Sequence, residues 1–245
     1  MAFKKLWRLL TYPINLRKGM IDLTERVAKL EYRAFNRRFY AIQQIAEYLI
    51  SAQLPGDYAE FGVSQGTTFA HAFHHIAGFF EHMKFYAFDS FEGLPKPDGI
   101  DAVNGYTSNF HEQEFSCTEE EFLENMAAAG VDLDKVITVK GWFDESLMPA
   151  DTDRHGLEKV AAAWVDCDLY KSTVPVLNFL TSRLSTGSVI AFDDWRCFRN
   201  QPDFGEQRAV SEWLAQNPHI KLRELFTYGW YGMVFTVHLE KESSG

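Results

Sequence analysis

The chain has 245 residues, 46% hydrophobic and 24% charged, a composition that suits one globular body with a single substantial core. No run of about 18 apolar residues occurs, so no membrane-spanning helix is expected; Cys117, Cys167 and Cys197 are too few and too scattered for a disulfide framework or a zinc ribbon. The net charge of −10 is unevenly spread: residues 1–40 hold ten Lys/Arg against three Asp/Glu and the remainder 14 against 31, and so acidic a body argues against nucleic-acid binding.

Residues 3–10, with Lys4, Lys5 and Arg8 among Phe3, Leu6, Trp7, Leu9 and Leu10, form a short basic amphipathic segment without a signal-peptide cleavage pattern. Such a segment could make a weak contact with an anionic membrane surface; packing on the body or on a dimer mate is the simpler expectation. A homo-oligomer in a reduced, cytoplasmic setting is therefore expected. Met20, Leu23, Val27, Leu30, Ala34, Phe39, Ile42, Ile45 and Leu49 recur at helical steps, so residues 20–49 form one amphipathic helix or two. Residues 1–52 are read as a helical N-terminal extension and 53–245 as the main domain. After Pro55-Gly56, residues 58–63 read as a buried strand and 67–80 as a helix with Phe69, Phe73, Ile76 and Phe80 on one face.

Strands follow at 85–88, 136–139, 161–165 and 189–192, with helices between them. Thr118-Glu119-Glu120-Glu121 has the spacing of a capping box. Residues 173–184 predict a helix stopped near Gly187, and residues 207–216 another, ended before Pro218. Strand and helix in alternation imply right-handed crossovers and a mostly parallel α/β sheet. Residues 221–226 and 233–238 flank a glycine-bearing turn and predict an antiparallel hairpin at the sheet edge. The stretch 93–117, with Pro95, Pro97, Gly99 and Gly105, has no clear periodicity and reads as a lid or binding loop over the active edge.

Three groups of residues carry chemistry. Glu60-Phe61-Gly62-Val63-Ser64-Gln65-Gly66 spans a strand end and a helix start, where backbone can approach a ligand and free N–H groups face an anion. Asp89 ends the next strand, and its two carboxylate oxygens can accept both hydroxyls of an adenosine ribose. Asp166-Cys167-Asp168 and Asp193-Asp194 end two further strands. A parallel sheet brings such ends to one edge, so the carboxylates converge there, and hard oxygen donors in that number suit Mg²⁺ or a similar divalent cation rather than zinc. His71 and His75 have the spacing of a zinc pair but no evident third ligand, and are read as an ordinary helix face. Cys167 has no histidine partner to make it a nucleophile.

These residues resemble the metal-dependent sugar O-methyltransferases of the macrocin and mycinamicin type, within the class I S-adenosylmethionine-dependent enzymes. The resemblance runs from about Gly56 to Trp195 through Tyr58-Ala59-Glu60-Phe61-Gly62-Val63, Phe88-Asp89-Ser90-Phe91-Glu92-Gly93-Leu94-Pro95, Lys140-Gly141-Trp142-Phe143-Asp144-Glu145-Ser146-Leu147, Asp166-Cys167-Asp168-Leu169-Tyr170-Lys171-Ser172-Thr173 and Asp193-Asp194-Trp195. It implies a Rossmann-like fold. It also implies that Glu60, Gly62, Val63, Ser64 and Gly66 hold the methionine part of S-adenosylmethionine, Asp89 and Ser90 its ribose, and Trp142 and Phe143 its adenine. By the same resemblance Asp166, Asp193 and Asp194 bind Mg²⁺, Asp166 is the general base, and the acceptor is a saccharide hydroxyl. Catechol-type relatives carry a lysine where this chain has Leu169, so a carboxylate must take the proton. Two rivals remain at the level of sequence: a glycosyltransferase using Asp166-x-Asp168, and a non-catalytic binding module on the same fold.

Overall fold

A computed structural model describes residues 30–102, 110–148 and 155–240. The basic segment at residues 3–10 and the start of the expected N-terminal helix lie outside the described residues. Helix α1 (Leu30–Ala52) precedes β1 (Asp57–Phe61), α2 (Thr67–Ile76), β2 (Phe85–Asp89), α3 (Glu119–Ala128), β3 (Val136–Lys140) and the one-turn α4 (Phe143–Ser146). Then come β4 (Val160–Val165), α5 (Tyr170–Leu180), β5 (Leu184–Phe192), α6 (Gly205–Gln216), β6 (Ile220–Tyr228) and β7 (Gly232–Leu239).

The strands form one seven-stranded sheet in the order β3-β2-β1-β4-β5-β7-β6. The first five are parallel; β7 is antiparallel to β5 and β6, which makes the expected edge hairpin. Every residue of β4 is buried, as a central parallel strand covered on both faces requires. One core layer packs Ile42, Ile45 and Leu49 of α1 with Phe69, Phe73, Phe122 and Trp164; the opposite layer packs Phe61, Phe88 and Val165 against Val176, Leu177, Val210 and Trp213. The chain runs outward from β1 to β3 and returns to β4 on the other side of β1. That reversal opens a crevice at the C-terminal ends of β1 and β4, where ligands of open α/β sheets bind.

Local chemistry explains the element ends. The Thr118 hydroxyl accepts from Glu121 N (3.2 Å) and the Glu121 carboxylate accepts from Thr118 N (2.9 Å), so the capping box forms as read. Two expectations need correction. The helix expected over 67–80 ends at Ile76, and Gly78 and the solvent-exposed Phe79 lie beyond it. The helix expected over 173–184 spans Tyr170–Leu180 instead, Leu184 opens β5, and Gly187 lies inside that strand at φ +98°. The cause is a bulge. Val160 pairs with Leu184 but Ala162 with Val189, and the extra residues are held by Ser188 Oγ, which donates to the Val160 carbonyl (2.7 Å) and accepts from Ser185 N (2.9 Å).

Candidate active site

The crevice is a cavity of about 490 Å³, a size suited to a small organic ligand. One wall is the turn between β1 and α2. Gly62 takes φ +87° and Gly66 φ +82°, a region that disfavours any side chain. A Cβ on Gly62 would stand 2.0 Å from the Asp166 carbonyl oxygen, and one on Gly66 2.2 Å from Met126 Cε. The glycines thus let the turn pack against the protein itself, and so bring the Gly62 backbone against the acidic strand end.

Asp89 fixes that turn. Its Oδ2 accepts from Val63 N (2.7 Å) and Ser64 N (3.1 Å), and its Oδ1 from Phe91 N (2.7 Å). Ser90 Oγ closes the next turn by donating to the Gly93 carbonyl (3.0 Å) and accepting from Glu92 N (3.1 Å). Glu60 is buried, and Tyr58 donates to its Oε2 (2.6 Å); burial pushes its carboxyl up to about 8, against the pull of that bond and of Arg38. Trp142 and Phe143, both half-buried, line the far wall. Glu60, Gly62, Val63, Ser64, Asp89, Ser90, Trp142 and Phe143 all border this one cavity.

Asp166, Cys167 and Asp168 of the acidic edge form the remaining wall, with Asp193 and Asp194 set behind it. Carboxylate oxygens of Asp166, Asp168 and Asp194 lie within 4.8 Å of one another. Asp166 and Asp168 lie beyond the end of β4 and are brought together by a turn in which Asp168 takes the left-handed region at φ +60°. Asp193, expected in the metal set, lies outside this geometric trio, and Asp168 lies within it. Adjacent residues leaving a strand point to opposite faces, so Asp193 turns to Tyr228, whose hydroxyl donates to Oδ1 (2.8 Å), and to Arg38, which pairs with Oδ2. Burial raises the carboxyl pKa of Asp166 and Asp168 well above the usual range. Arg38 opposes this at Asp166, and neighbouring carboxylates reinforce it at both.

Sequence reasoning missed three residues. Arg38, on α1, pairs with Asp166 at 3.3 Å as well as with Asp193. Glu206, in the first turn of α6, is buried, accepts from Asp194 N (3.0 Å), and has its carboxyl pKa pushed well up by burial and then by Asp194. Asp101, within the irregular stretch, accepts from Tyr170 N (2.9 Å) and Lys171 N (3.1 Å), which caps α5 and ties the stretch to the acidic loop. The same stretch lines the cavity with Gly93, Leu94, Pro95, Glu114, Phe115 and Ser116. The histidines are ordinary helix contacts: the His71 ring lies 4.2 Å from Phe39 and 4.5 Å from His75, and His74 bonds the Ala129 carbonyl.

A sheet of this order, with its cavity at the reversal point, is the fold of class I O-methyltransferases. The solved O-methyltransferase NovP superposes with a TM-score of 0.66 at 25% identity, covering 82% of this chain and 79% of that one. The calicheamicin methyltransferase CalS11 gives 0.65 at 21% identity, covering 81% and 77%. Residues 32–217 match the family model of macrocin-O-methyltransferase (TylF), and the chain belongs to that family.

Among curated relatives, a Streptomyces olivaceus protein named as 8-demethyl-8-(2,3-dimethoxy-alpha-L-rhamnosyl)-tetracenomycin-C 4'-O-methyltransferase is 30% identical over 163 residues, 65% of this chain and 60% of that protein. The Mycinamicin III 3''-O-methyltransferase of Micromonospora griseorubida is 24% identical over 188 residues, 74% of this chain and 72% of that protein. The chain therefore spans 60% of the length of the first relative. With the family shown, the glycosyltransferase reading of Asp166 and Asp168 falls away. No helix among the described residues is long and apolar enough to cross a membrane.

Proposed function

We propose that the protein transfers a methyl group from S-adenosylmethionine to a sugar hydroxyl of a glycosylated small molecule, assisted by a divalent cation. The observation that carries this is the acidic trio, whose Asp166 and Asp168 line the same cavity as Asp89 and the glycine turn. The donors fit a hard cation: three carboxylate oxygens are gathered, and Asp194 Oδ2 is buried with no hydrogen-bond partner. When bound, such an ion lowers the pKa of an acceptor hydroxyl and fixes its oxygen. Asp166, Asp168 and Asp194 would hold it.

The chain's own residues supply the rest. Asp89 keeps one acceptor site, on Oδ1, for a ribose hydroxyl beyond its three backbone bonds, Glu60 offers a carboxyl to the methionine ammonium, and Trp142 and Phe143 offer flat faces to adenine. Asp166, with a raised pKa and the cavity in front of it, accepts the proton of the attacking hydroxyl. Because Arg38 already pairs with Asp166, a second reading gives that proton to Asp168, which shares the trio. The sugar acceptor is supported by the relatives' names, one of which specifies a rhamnosyl group.

The test is methyl transfer to a panel of glycosides, read by mass spectrometry on metal-stripped enzyme. Turnover should be absent in chelator and return with Mg²⁺. Asp166→Asn should lower kcat about 100-fold or more, the scale of general base catalysis; if Asp168→Asn alone does so, the proton belongs to Asp168. Full turnover in chelator would remove the cation, methylation of non-sugar acceptors alone would remove the saccharide, and no turnover with any acceptor is the outcome for a silent binding module.

A further inference from the structure

Arg38 reaches the acidic edge from outside the sheet. It sits on α1, whose Ile42, Ile45 and Leu49 are locked into the core a turn or more further along the same helix, so its backbone is held firmly. Its guanidinium spans two strand ends, pairing with Asp166 after β4 and with Asp193 after β5, and lies 6.0 Å from the centre of the Tyr231 ring. Asp193 is almost fully buried and has a second partner in Tyr228, whereas Asp166 is 17% exposed and faces the cavity. A planar fork with several donors can hold two carboxylates from different strands at once; an ammonium acts as a single point charge.

We infer that Arg38 is the resident counter-cation of the acidic edge, a positioning residue that ties Asp166 to Asp193 and competes with the divalent ion for Asp166. This inference rests on the metal-assisted reading. A guanidinium cannot give up its charge by deprotonation, so a second cation at Asp166 always meets a fixed positive neighbour. Arg38 therefore weakens cation binding while it offsets the mutual repulsion of the carboxylates.

The experiment is a Mn²⁺ titration followed by electron paramagnetic resonance of the free ion, on wild type, Arg38→Met and Arg38→Lys, with urea unfolding of each in chelator. Arg38→Met should bind Mn²⁺ at least tenfold more tightly than wild type and be less stable in chelator. Arg38→Lys, which keeps the charge but loses the two-strand grip, should fall between the two. A loss of packing alone would weaken Mn²⁺ binding, so the direction of change separates the roles. An Arg38→Met that folds only when Mn²⁺ is present supports the inference, because the ion then replaces the guanidinium. If Arg38→Met does not fold at all, Arg38→Lys decides: Mn²⁺ affinity equal to or below wild type overturns the inference, as does unchanged or weaker binding by a folded Arg38→Met. Wild type that binds no Mn²⁺ overturns the metal-assisted reading and the inference together, whereas Mn²⁺ binding by wild type with no gain in the variants overturns the inference alone.

Discussion

Gly62→Ala perturbs the point where the cofactor turn and the acidic strand end touch. The added Cβ would stand 2.0 Å from the Asp166 carbonyl oxygen, well inside contact distance, and the obstacle is backbone that cannot rotate away. Gly62 N donates to the Phe88 carbonyl (2.8 Å) and Asp166 N to the Phe61 carbonyl (2.9 Å), so the strands that must separate are bonded on either side of the clash. An alanine at φ +87° adds roughly 1–2 kcal/mol of backbone strain, overpacking about 1–3 kcal/mol, and a weakened ladder bond about 1 kcal/mol. A destabilisation of about 3–6 kcal/mol follows. Gly66→Ala is the internal control. Its φ of +82° is equally unfavourable, but the first atom it meets is the Met126 methyl at 2.2 Å, the end of a flexible chain, followed by the Phe122 ring at 2.7 Å. Its destabilisation should therefore be smaller by about 1–2 kcal/mol. Urea unfolding gives both numbers, and calorimetry with S-adenosylhomocysteine and with Mn²⁺ reads the two halves of the site. Gly62→Ala should weaken both ligands, since its displacement moves Asp166. A Gly62→Ala protein within about 0.5 kcal/mol of wild type, or less destabilised than Gly66→Ala, would refute the reasoning.

Asp89→Ala strips acceptors from Val63, Ser64 and Phe91 N–H groups as well as from a ribose, so S-adenosylhomocysteine affinity should fall by roughly 1.5–3 kcal/mol, the scale of a charged hydrogen bond; unchanged affinity removes Asp89 from the cofactor site. The free protein should lose stability as pH rises. Glu60 titrates near 4.3 when unfolded and at about 8 when buried, so the folded state holds the extra proton between those values. Its contribution is whole below the lower value and is lost as pH climbs through the upper one. The slope from this group approaches about 1.4 kcal/mol per pH unit. Urea unfolding in chelator at several pH values from 5 to 9 should show it, Glu60→Gln should flatten it, and stability that rises across that window contradicts the assignment.

The central strands were legible because burial on both faces writes them as unbroken apolar runs such as Val160–Val165. Helix ends were less so. Leu184 continues the apolar pattern of α5, and only the pairing of Val160 with Leu184 shows that it already belongs to β5. At the site, Gly62, Asp89, Asp166 and Asp194 could be found because a parallel sheet delivers the residues after its strands to one edge. Asp168 was part of that convergence too, and the left-handed turn after β4 places its carboxylate beside those of Asp166 and Asp194. Arg38, Asp101 and Glu206 carried no local signal. Each arrives from a helix or an irregular stretch whose distance to the edge is set by tertiary packing alone.

The acidic edge joins these results. Asp166, Asp168, Asp193, Asp194 and Glu206 are each largely withdrawn from water, and burial raises the carboxyl pKa of every one of them. Like charges so placed cannot all ionise without a counter-ion. Arg38 supplies one positive charge, spent on Asp166 and Asp193, and protons supply more at low pH. Under the metal-assisted reading a divalent ion supplies the rest, and its binding must displace protons from the trio, so cation affinity rises with pH while the stability of the free protein falls. A guanidinium delivered by α1 and bound protons thus share the neutralisation of this edge, and under the inference that same guanidinium moderates how tightly the edge grips an ion.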